Sequence, residues 1–506
     1  MTKFFEKSLI ILILPLIVLA VETFTLFLKN PPVWPDEAIY ANIASNWLTE
    51  KRLGPDIWLD AYPGATDHFY SYPPLFFLII GAYFKLFGAS IESQRLISQT
   101  AAIVFLIVFF FLVKSIFPNK KVHVLFILPL IALILDPFFS RASRIARPEM
   151  TVTLIGSLGF LAFIKSRNSH NPAISHLLTI ICGILTSFAL LTHFLGGMIF
   201  TISILLNFLF QDKFRLIKSK NFYLFILSFL TAPFLYFLSI LPNWTIFQYQ
   251  LLTYSKAVSE YSYFVLSLIY STNTVHQILI ITYIAATVSF IIKTAINKSQ
   301  ELIPFAIILC VSWIAVVYYK EVWYFFYVIP WIYLSASFIF IEFFTKYFKN
   351  FIKLQKRNFF HLVAIEAPII LTSLMFMVGL FYTLKLIYTY LPNKYSYHLF
   401  EKRILDVIPQ NKTVFLSSIP DPYFALKLRG TNTLYEFPVV TIEKEKFLEL
   451  LDNSDYIIFT NVYSKTSSLL PAYISKNAQK TITIGSKDQY QTHVFELKPK
   501  DQRQKP

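Results

Sequence analysis

Two carboxylates stand side by side at Asp36 and Glu37, in the stretch NPPVWPDEAIYANIASNWL (residues 30–48), just beyond the first long apolar run of the chain. A carboxylate held at an apolar boundary can take the proton of an attacking hydroxyl. Ionisable groups at a membrane are costly and point to function. A local reading competes: after Pro35, Asp36 suits a helix N-cap, and the helix dipole favours Glu37 in the first turn.

A second group lies in LDPFFSRASRIARPEM (135–150), where Arg141, Arg144 and Arg147 share a short loop with Asp136 and Glu149. The planar guanidinium fork matches a phosphate, although lipid-headgroup anchoring would use the same residues. YYKEVWYFFYVIP (318–330) sets Lys320, Glu321 and Tyr324 at the edge of an apolar run, where a snorkelling lysine and an aromatic belt are the ordinary expectation. LLTHFLGG places His193 at a helix junction, and YPGATDHFYSYPPL contributes Asp67 and His68. No spacing among these matches a recognised metal site, so a divalent cation is conceivable chemistry without a motif behind it, and no cofactor is required. There is no Walker loop, no G-x-G-x-x-G and no G-x-S-x-G, which disfavours nucleotide-driven chemistry.

The elements that must position these residues are membrane helices. Of 506 residues, 56% are hydrophobic and only 15% charged, the composition of a multi-pass membrane protein. The net charge of +16 is dispersed between apolar runs, so it faces membrane lipids, not nucleic acid. Cys182 and Cys310 both lie in apolar segments, which predicts no disulfide framework. The first apolar segment lacks an A-x-A cleavage signal and is expected to be a retained anchor.

About 20 apolar residues are needed to span. The expected spans are 8–28, 96–117, 122–138, 150–165, 174–192, 194–210, 222–241, 274–293, 302–319, 322–344 and 361–390. Lys3 and Lys7 place the N-terminus in the cytoplasm. The clusters Lys114–Lys121, Lys165/Arg167, Lys213–Lys220, Lys293/Lys298 and Lys346–Arg357 then all fall on the same side. That agreement requires the apolar stretch 73–88, which carries Lys85, to lie along the outer face instead of crossing. Residues 37–50 are expected to form a second interfacial helix, with Ile39, Ile43 and Trp47 on one side.

The fold class expected is therefore an α-helical polytopic membrane protein of about eleven spans, occupying 1–392, with a first extracytoplasmic loop at 29–95. From 393 to 506 the pattern changes. NKTVFLSS, SDYIIFTN and QTHVFELK read as strands; PDPYFALKL and IEKEKFLELLDN read as helices. A small extracytoplasmic α/β domain is expected there.

Four segments in order carry a resemblance: WPDEAIYANIASNWL, YPPLFFLIIGAYFKLFGASIESQRLIS, RIARPEMTVTLIGSLGFLAF and KEVWYFFYVIP. Together they resemble the GT-C fold glycosyltransferases related to aminoarabinose transferase and protein O-mannosyltransferase, over roughly residues 1–345. The resemblance implies transfer of a sugar from a polyprenyl-phosphate-linked donor to an acceptor glycolipid, glycan or protein on the extracytoplasmic face, with inversion. It implies Asp36 as catalytic base, with Glu37 beside it, and Arg144, Arg147 and Lys320 on the leaving phosphate. Tyr40, His68, Asp136, Glu149, His193 and Tyr324 would line the substrate site. One departure is Tyr72, where related enzymes place a lysine before the prolines, so another cation must serve there. A membrane transporter or lipid-linked-glycan flippase is the alternative class; it would show related halves and mid-membrane charges, whereas these charges crowd one side.

Overall fold

The computed structural model describes residues 2–58, 64–116, 123–211, 216–259, 274–297, 299–319, 323–347, 359–392, 395–436, 444–460, 469–485 and 491–504. Lys320 and Glu321 lie outside the described residues.

The amino-terminal part is a helical bundle: α1 Thr2–Leu26, α2 Pro35–Glu50, α3 Leu75–Phe87, α4 Ile91–Ile116, α5 Ile127–Ile134, α6 Pro137–Ala142, α7 Pro148–Arg167, α8 Pro172–Thr192, α9 Phe194–Gln211, α10 Lys220–Ile240, α11 Trp244–Ser259, α12 Thr274–Asn297, α13 Ile303–Tyr319, α14 Ile329–Tyr347 and α15 Phe359–Tyr390. Proline opens α2, α6, α7 and α8. Its fixed φ suits the first turn, and its ring drives the preceding residue into extended backbone. Arg147 (φ −123°, ψ 158°) and Trp34 (φ −99°, ψ 148°) are held this way, so the chain turns sharply into the helices that carry Glu149 and Asp36.

Among the described residues, eight helices are long and apolar enough to cross a membrane. They correspond to eight of the eleven expected spans. Of the other three, the first is carried by the 25-residue α1, whereas the eight-residue α5 and the 17-residue α13 are shorter. Residues 324–342 are buried throughout, whereas Lys220–Thr253 is largely exposed. Ile17, Phe24, Leu227, Phe234, Phe237, Ile281 and Phe381 project outward, as lipid-facing side chains must.

Helix α3 has 13 residues, about 20 Å at about 1.5 Å per residue, and so falls short of a crossing. It packs on α2, and the close approach is made at Gly81, where a Cβ would meet the Trp47 ring at 2.6 Å. Helix α2 departs from the amphipathic surface helix expected. Ile39 and Ile43 are buried, but so are Ala38, Tyr40, Asn42 and Asn46 on its other sides. The cause is tertiary: the loop after α2 and Tyr423 of the carboxy-terminal domain cover the face that the local pattern leaves to solvent, with Asn42 accepting the Asp56 N–H at 2.9 Å and Asn46 donating to the Gly54 carbonyl at 2.8 Å.

That domain holds α16 Tyr397–Leu405, β1 Thr413–Ser417, β2 Thr433–Glu436, α17 Lys444–Asn453, β3 Tyr456–Phe459, α18 Leu469–Asn477, β4 Ala478–Ile484 and β5 Thr492–Leu497. Its sheet runs β2-β1-β3-β5-β4; β1 is parallel to β2 and β3, while β5 is antiparallel to β3 and β4. Three strands and α17 stand where the sequence pattern places them; β2 and β4 are additions to it. PDPYFALKL supplies only a single helical turn, at Phe424–Leu428. One apolar core joins this domain to the segment between α1 and α4: Val33, Ile39, Tyr40, Phe76 and Phe77 pack with Tyr397, Phe400, Val414, Tyr423 and Phe424.

Candidate active site

Asp36 lies in the first turn of α2. Arg147 caps α7 directly opposite, and its Nη1 donates to Asp36 Oδ2. The same guanidinium holds Glu149 through Nε and Nη2, each 3.0 Å from Oε1. The Arg147 and Glu149 side chains are buried, whereas Asp36 keeps 19% of its side chain exposed. Burial pushes the Asp36 carboxyl above its ordinary range; Arg147 opposes this and the nearby Glu149 and Glu37 reinforce it. Burial works against the Arg147 charge, but Glu149 and Asp36 outweigh it and keep the guanidinium cationic. One cation between two carboxylates leaves the trio with an excess of negative charge.

A chain of rings walls this trio. Tyr40 meets Tyr72 edge-on at 5.6 Å, Tyr72 meets His193 at 5.9 Å, and His193 meets Tyr324 at 5.4 Å and Tyr327 at 5.9 Å. His193 Nδ1 lies 2.9 Å from the Tyr327 hydroxyl. Burial pushes the imidazole down to about 4, with Glu149 and Arg147 acting in opposite directions, so it is neutral at physiological pH. The approach of these rings depends on Gly196, where a Cβ would stand 2.8 Å from the Tyr327 ring.

Glu37, adjacent in sequence, faces the other way. It is fully buried and receives a two-pronged grip from Arg95 of α4, at 2.8 Å and 2.7 Å. Its oxygens also accept the Trp34 N–H at 3.0 Å, closing a capping box, and the Ala146 N–H at 2.9 Å. Arg95 donates further to the carbonyls of Pro31 and Pro32 at 3.0 and 3.2 Å. One carboxylate thus fixes α2, α4 and the loop carrying Arg147 relative to one another.

Arg144 is likewise committed. It donates to Glu22 of α1 at 2.6 Å, to Ser140 Oγ at 2.8 Å and to the Asn30 carbonyl at 3.0 Å, with 1% of its side chain exposed. Arg141 of the same loop is half-buried; burial lowers its guanidinium to about 10, and Arg147 and Arg144 add to the lowering. Asp136 caps α6 through the Phe138 and Phe139 N–H groups at 2.9 and 3.2 Å, and accepts the hydroxyls of Tyr283 and Tyr333. His68 stacks on Tyr70 at 5.6 Å in a loop that Gln250 of α11 pins at both Tyr70 N and His68 O.

The structure therefore brings Asp36, Arg147, Glu149, Tyr40, His193 and Tyr324 together, and places Glu37, Arg144, Asp136 and His68 in surrounding anchor points. Lys320 falls outside the described residues. Arg95, Glu22 and Tyr327 are not among the residues that the sequence singles out, and Tyr72 enters only as a departure. Glu22 does leave a signal, since it is a charge inside an apolar segment; Arg95, just before the expected span 96–117 in the polar run ESQR, leaves none. Among the described residues, no cluster of three or more His, Cys, Asp or Glu side chains is arranged to hold a metal ion.

Comparison with known proteins follows the same lines. Residues 71–237 match the family model described as dolichyl-phosphate-mannose-protein mannosyltransferase. No curated protein matches the sequence significantly. Among solved structures, ArnT from Cupriavidus metallidurans bound to undecaprenyl phosphate superposes with a TM-score of 0.63 at 13% identity, covering 96% of this chain and 97% of that one. The apo state of the same protein gives 0.59 at 11% identity, covering 97% and 98%. The oligosaccharyltransferase AglB from Archaeoglobus fulgidus, in complex with an inhibitory peptide and a dolichol-phosphate, gives 0.50 at 10% identity, covering 93% and 73%. The chain has the ArnT-like GT-C fold over nearly its whole length.

Proposed function

We propose, from the premise that this chain is a glycosyltransferase of the class that uses lipid-phosphate sugar donors, that it transfers a sugar from a polyprenyl-phosphate carrier to an acceptor hydroxyl outside the cell membrane. Asp36 accepts the proton of that hydroxyl as its oxygen forms the new bond to the anomeric carbon. The bond from that carbon to the lipid phosphate oxygen breaks on the opposite face, which inverts the centre and releases the polyprenyl phosphate. The N-terminus is cytoplasmic and the sheet domain extracytoplasmic, in keeping with the one-sided Lys/Arg clusters.

The observation carrying this reading is the sharing of one buried guanidinium between Asp36 and Glu149 beneath an aromatic wall. A donor phosphate entering here competes with Asp36 for Arg147 Nη1. Once Arg147 turns to the phosphate, the Asp36 carboxylate loses its cation and becomes the stronger base, beside the acceptor. Arg141 and Lys320 add positive charge for the departing phosphate, a form of electrostatic stabilisation that acts where charge develops. Glu149 stays on Arg147 and fixes its plane, and Tyr40, His193 and Tyr324 bound the sugar. Glu37, Arg144 and Asp136 act as positioning residues around them.

The test is Asp36→Asn in purified, lipid-reconstituted protein. Sugar transfer should be lost while binding of polyprenyl phosphate persists; transfer at the wild-type rate refutes the base assignment. Uptake of a lipid-linked sugar across the membrane that survives the substitution would favour a carrier. Mass spectrometry of lipids and surface glycans from cells with and without the protein names the sugar and the acceptor.

A further inference from the structure

The seam between the sheet domain and α2 contains a second pair of acids that the proposed chemistry does not use. Asp421 and Glu436 are 1% and 2% exposed. Asp421 Oδ1 accepts the Tyr423 N–H at 2.8 Å, but Oδ2 and both oxygens of Glu436 are buried and meet no hydrogen-bond donor among the described residues. Their neighbours are better supplied. Glu37 has Arg95, Asp36 has Arg147, Asp56 has Lys427 at 2.8 Å, and Glu401 has Arg429 at 2.6 Å. Among the described residues, Asp421 and Glu436 have no such cation. The two carboxyls lie within hydrogen-bonding reach of each other, and two such buried carboxylates without a counter-ion cannot both stay ionised, so one proton between them is the arrangement that burial permits.

The pair also sits on a joint. The Asp421 N–H donates to the Val33 carbonyl at 3.0 Å, just ahead of α2, and the Tyr423 hydroxyl accepts from Asn42 of α2 at 3.4 Å. We propose that Asp421 and Glu436 form a proton-sharing clasp that seats the sheet domain on the first turn of α2 and so positions Asp36.

The charges facing the clasp are mostly of its own sign. Glu37 acts on Asp421 and Asp36 acts on Glu436, while Asp56 and Glu436 both face Tyr423. Across Tyr397 the clasp meets Glu401 and the Arg429 cation. Burial first, and then the mutual repulsion of the two acids, raise Glu436; burial likewise raises Asp421. The closed seam binds more protons than the open one at pH values above the ordinary carboxylate range. Closure is therefore favoured in acid and weakens as pH rises through the raised values. Each proton released on opening changes the opening equilibrium about tenfold per pH unit.

The full-length protein in lipid nanodiscs provides the test, by hydrogen exchange of the amides at 33–42 between pH 5.5 and 8, corrected for intrinsic chemistry. Wild-type protection there should fall at least about tenfold across this range. In the double variant Asp421→Asn/Glu436→Gln the slope should fall to the part left by His398, whose pairing with Glu92 also bridges the sheet domain and the bundle. A flat wild-type profile, or a double variant with the wild-type slope, overturns the clasp. If the double variant also loses protection in α7, it has misfolded; the wild-type slope and a reduced slope in Asp421→Asn then decide. Only the consequence for Asp36 rests on the function proposed above. Where transfer is assayed, kcat should fall as pH rises through this range in the wild type and not in the double variant. An Asp36→Asn protein that still transfers sugar would remove the catalytic base while leaving the exchange result intact.

Discussion

Replacing Glu37 by Gln keeps its size and removes its charge, which isolates what the Glu37–Arg95 pair does. The pair is fully buried on both sides. Breaking such a pair by removing one charge costs about 3–5 kcal/mol, because the remaining ion is left in an apolar setting. In the Glu37→Gln variant one end of the new amide is a donor. It must point at Arg95, at the Trp34 N–H or at the Ala146 N–H, all donors themselves, which adds about 1–3 kcal/mol of unmet bonding. Arg95→Met should cost a comparable amount, since it strands Glu37 and uncovers the Pro31 and Pro32 carbonyls. The double variant Glu37→Gln/Arg95→Met removes both charges and should recover at least about 2 kcal/mol relative to the sum of the singles, a coupling that a cycle measures directly. Unfolding titrations in mixed micelles, followed by tryptophan fluorescence, give the three values. Single-variant losses below about 1 kcal/mol, or additive behaviour, would refute the idea that this pair holds the site together.

Arg147→Gln removes the cation shared by Asp36 and Glu149, and should lower kcat/KM for the lipid donor by about 10²–10³-fold in initial-rate assays; a change below tenfold argues against its contact with phosphate. Gly196→Ala inserts a Cβ 2.7 Å from Val152 and 2.8 Å from the Tyr327 ring, both in packed surroundings. It should cost about 1–3 kcal/mol and displace Tyr327 from His193, visible as lost unfolding stability. His398 joins Glu92 at 2.8 Å to Glu401 at 3.1 Å, and these bonds raise it to about 9. A histidine raised on folding stabilises fully below its ordinary pKa of about 6.5, and the gain disappears as pH climbs through about 9. With half its surface in water, His398→Gln should cost less than about 1 kcal/mol at pH 6 and nothing measurable at pH 10.

Most of the helical framework is legible because a span is a local property: about twenty apolar residues announce themselves without reference to any other segment. The same holds for β1, β3 and β5, whose apolar runs are short and flanked by turns. Strand β4, AQKTITI, escapes such a reading because it is an exposed edge with Lys480 in it, and nothing local marks it. Helix α2 looks half-exposed for a related reason. Asn42 and Asn46 resemble a solvent face, yet Asn42 meets Tyr423 and Asn46 meets the Gly54 carbonyl. Within the site, residue types are legible and orientation is not. Asp36 and Glu37 are successive residues on a helix, about 100° apart, so one faces Arg147 and the other faces Arg95 of α4. Arg144 and Arg147 are three apart, yet Arg147 lies before Pro148 in extended backbone and Arg144 in the preceding turn, so they diverge toward different acids.

The single apolar core that α2 and α3 share with Tyr397, Val414 and Phe424 bears on how such a chain can be edited. A cut near residue 393 severs no peptide of the bundle, yet it removes Tyr397, Val414, Tyr423 and Phe424 from the core that Ile39, Tyr40 and Phe76 share with them. The carboxy-terminal portion is therefore not a removable cassette. A chimera that exchanges it for a relative's counterpart has to carry residues 28–88 across in the same graft.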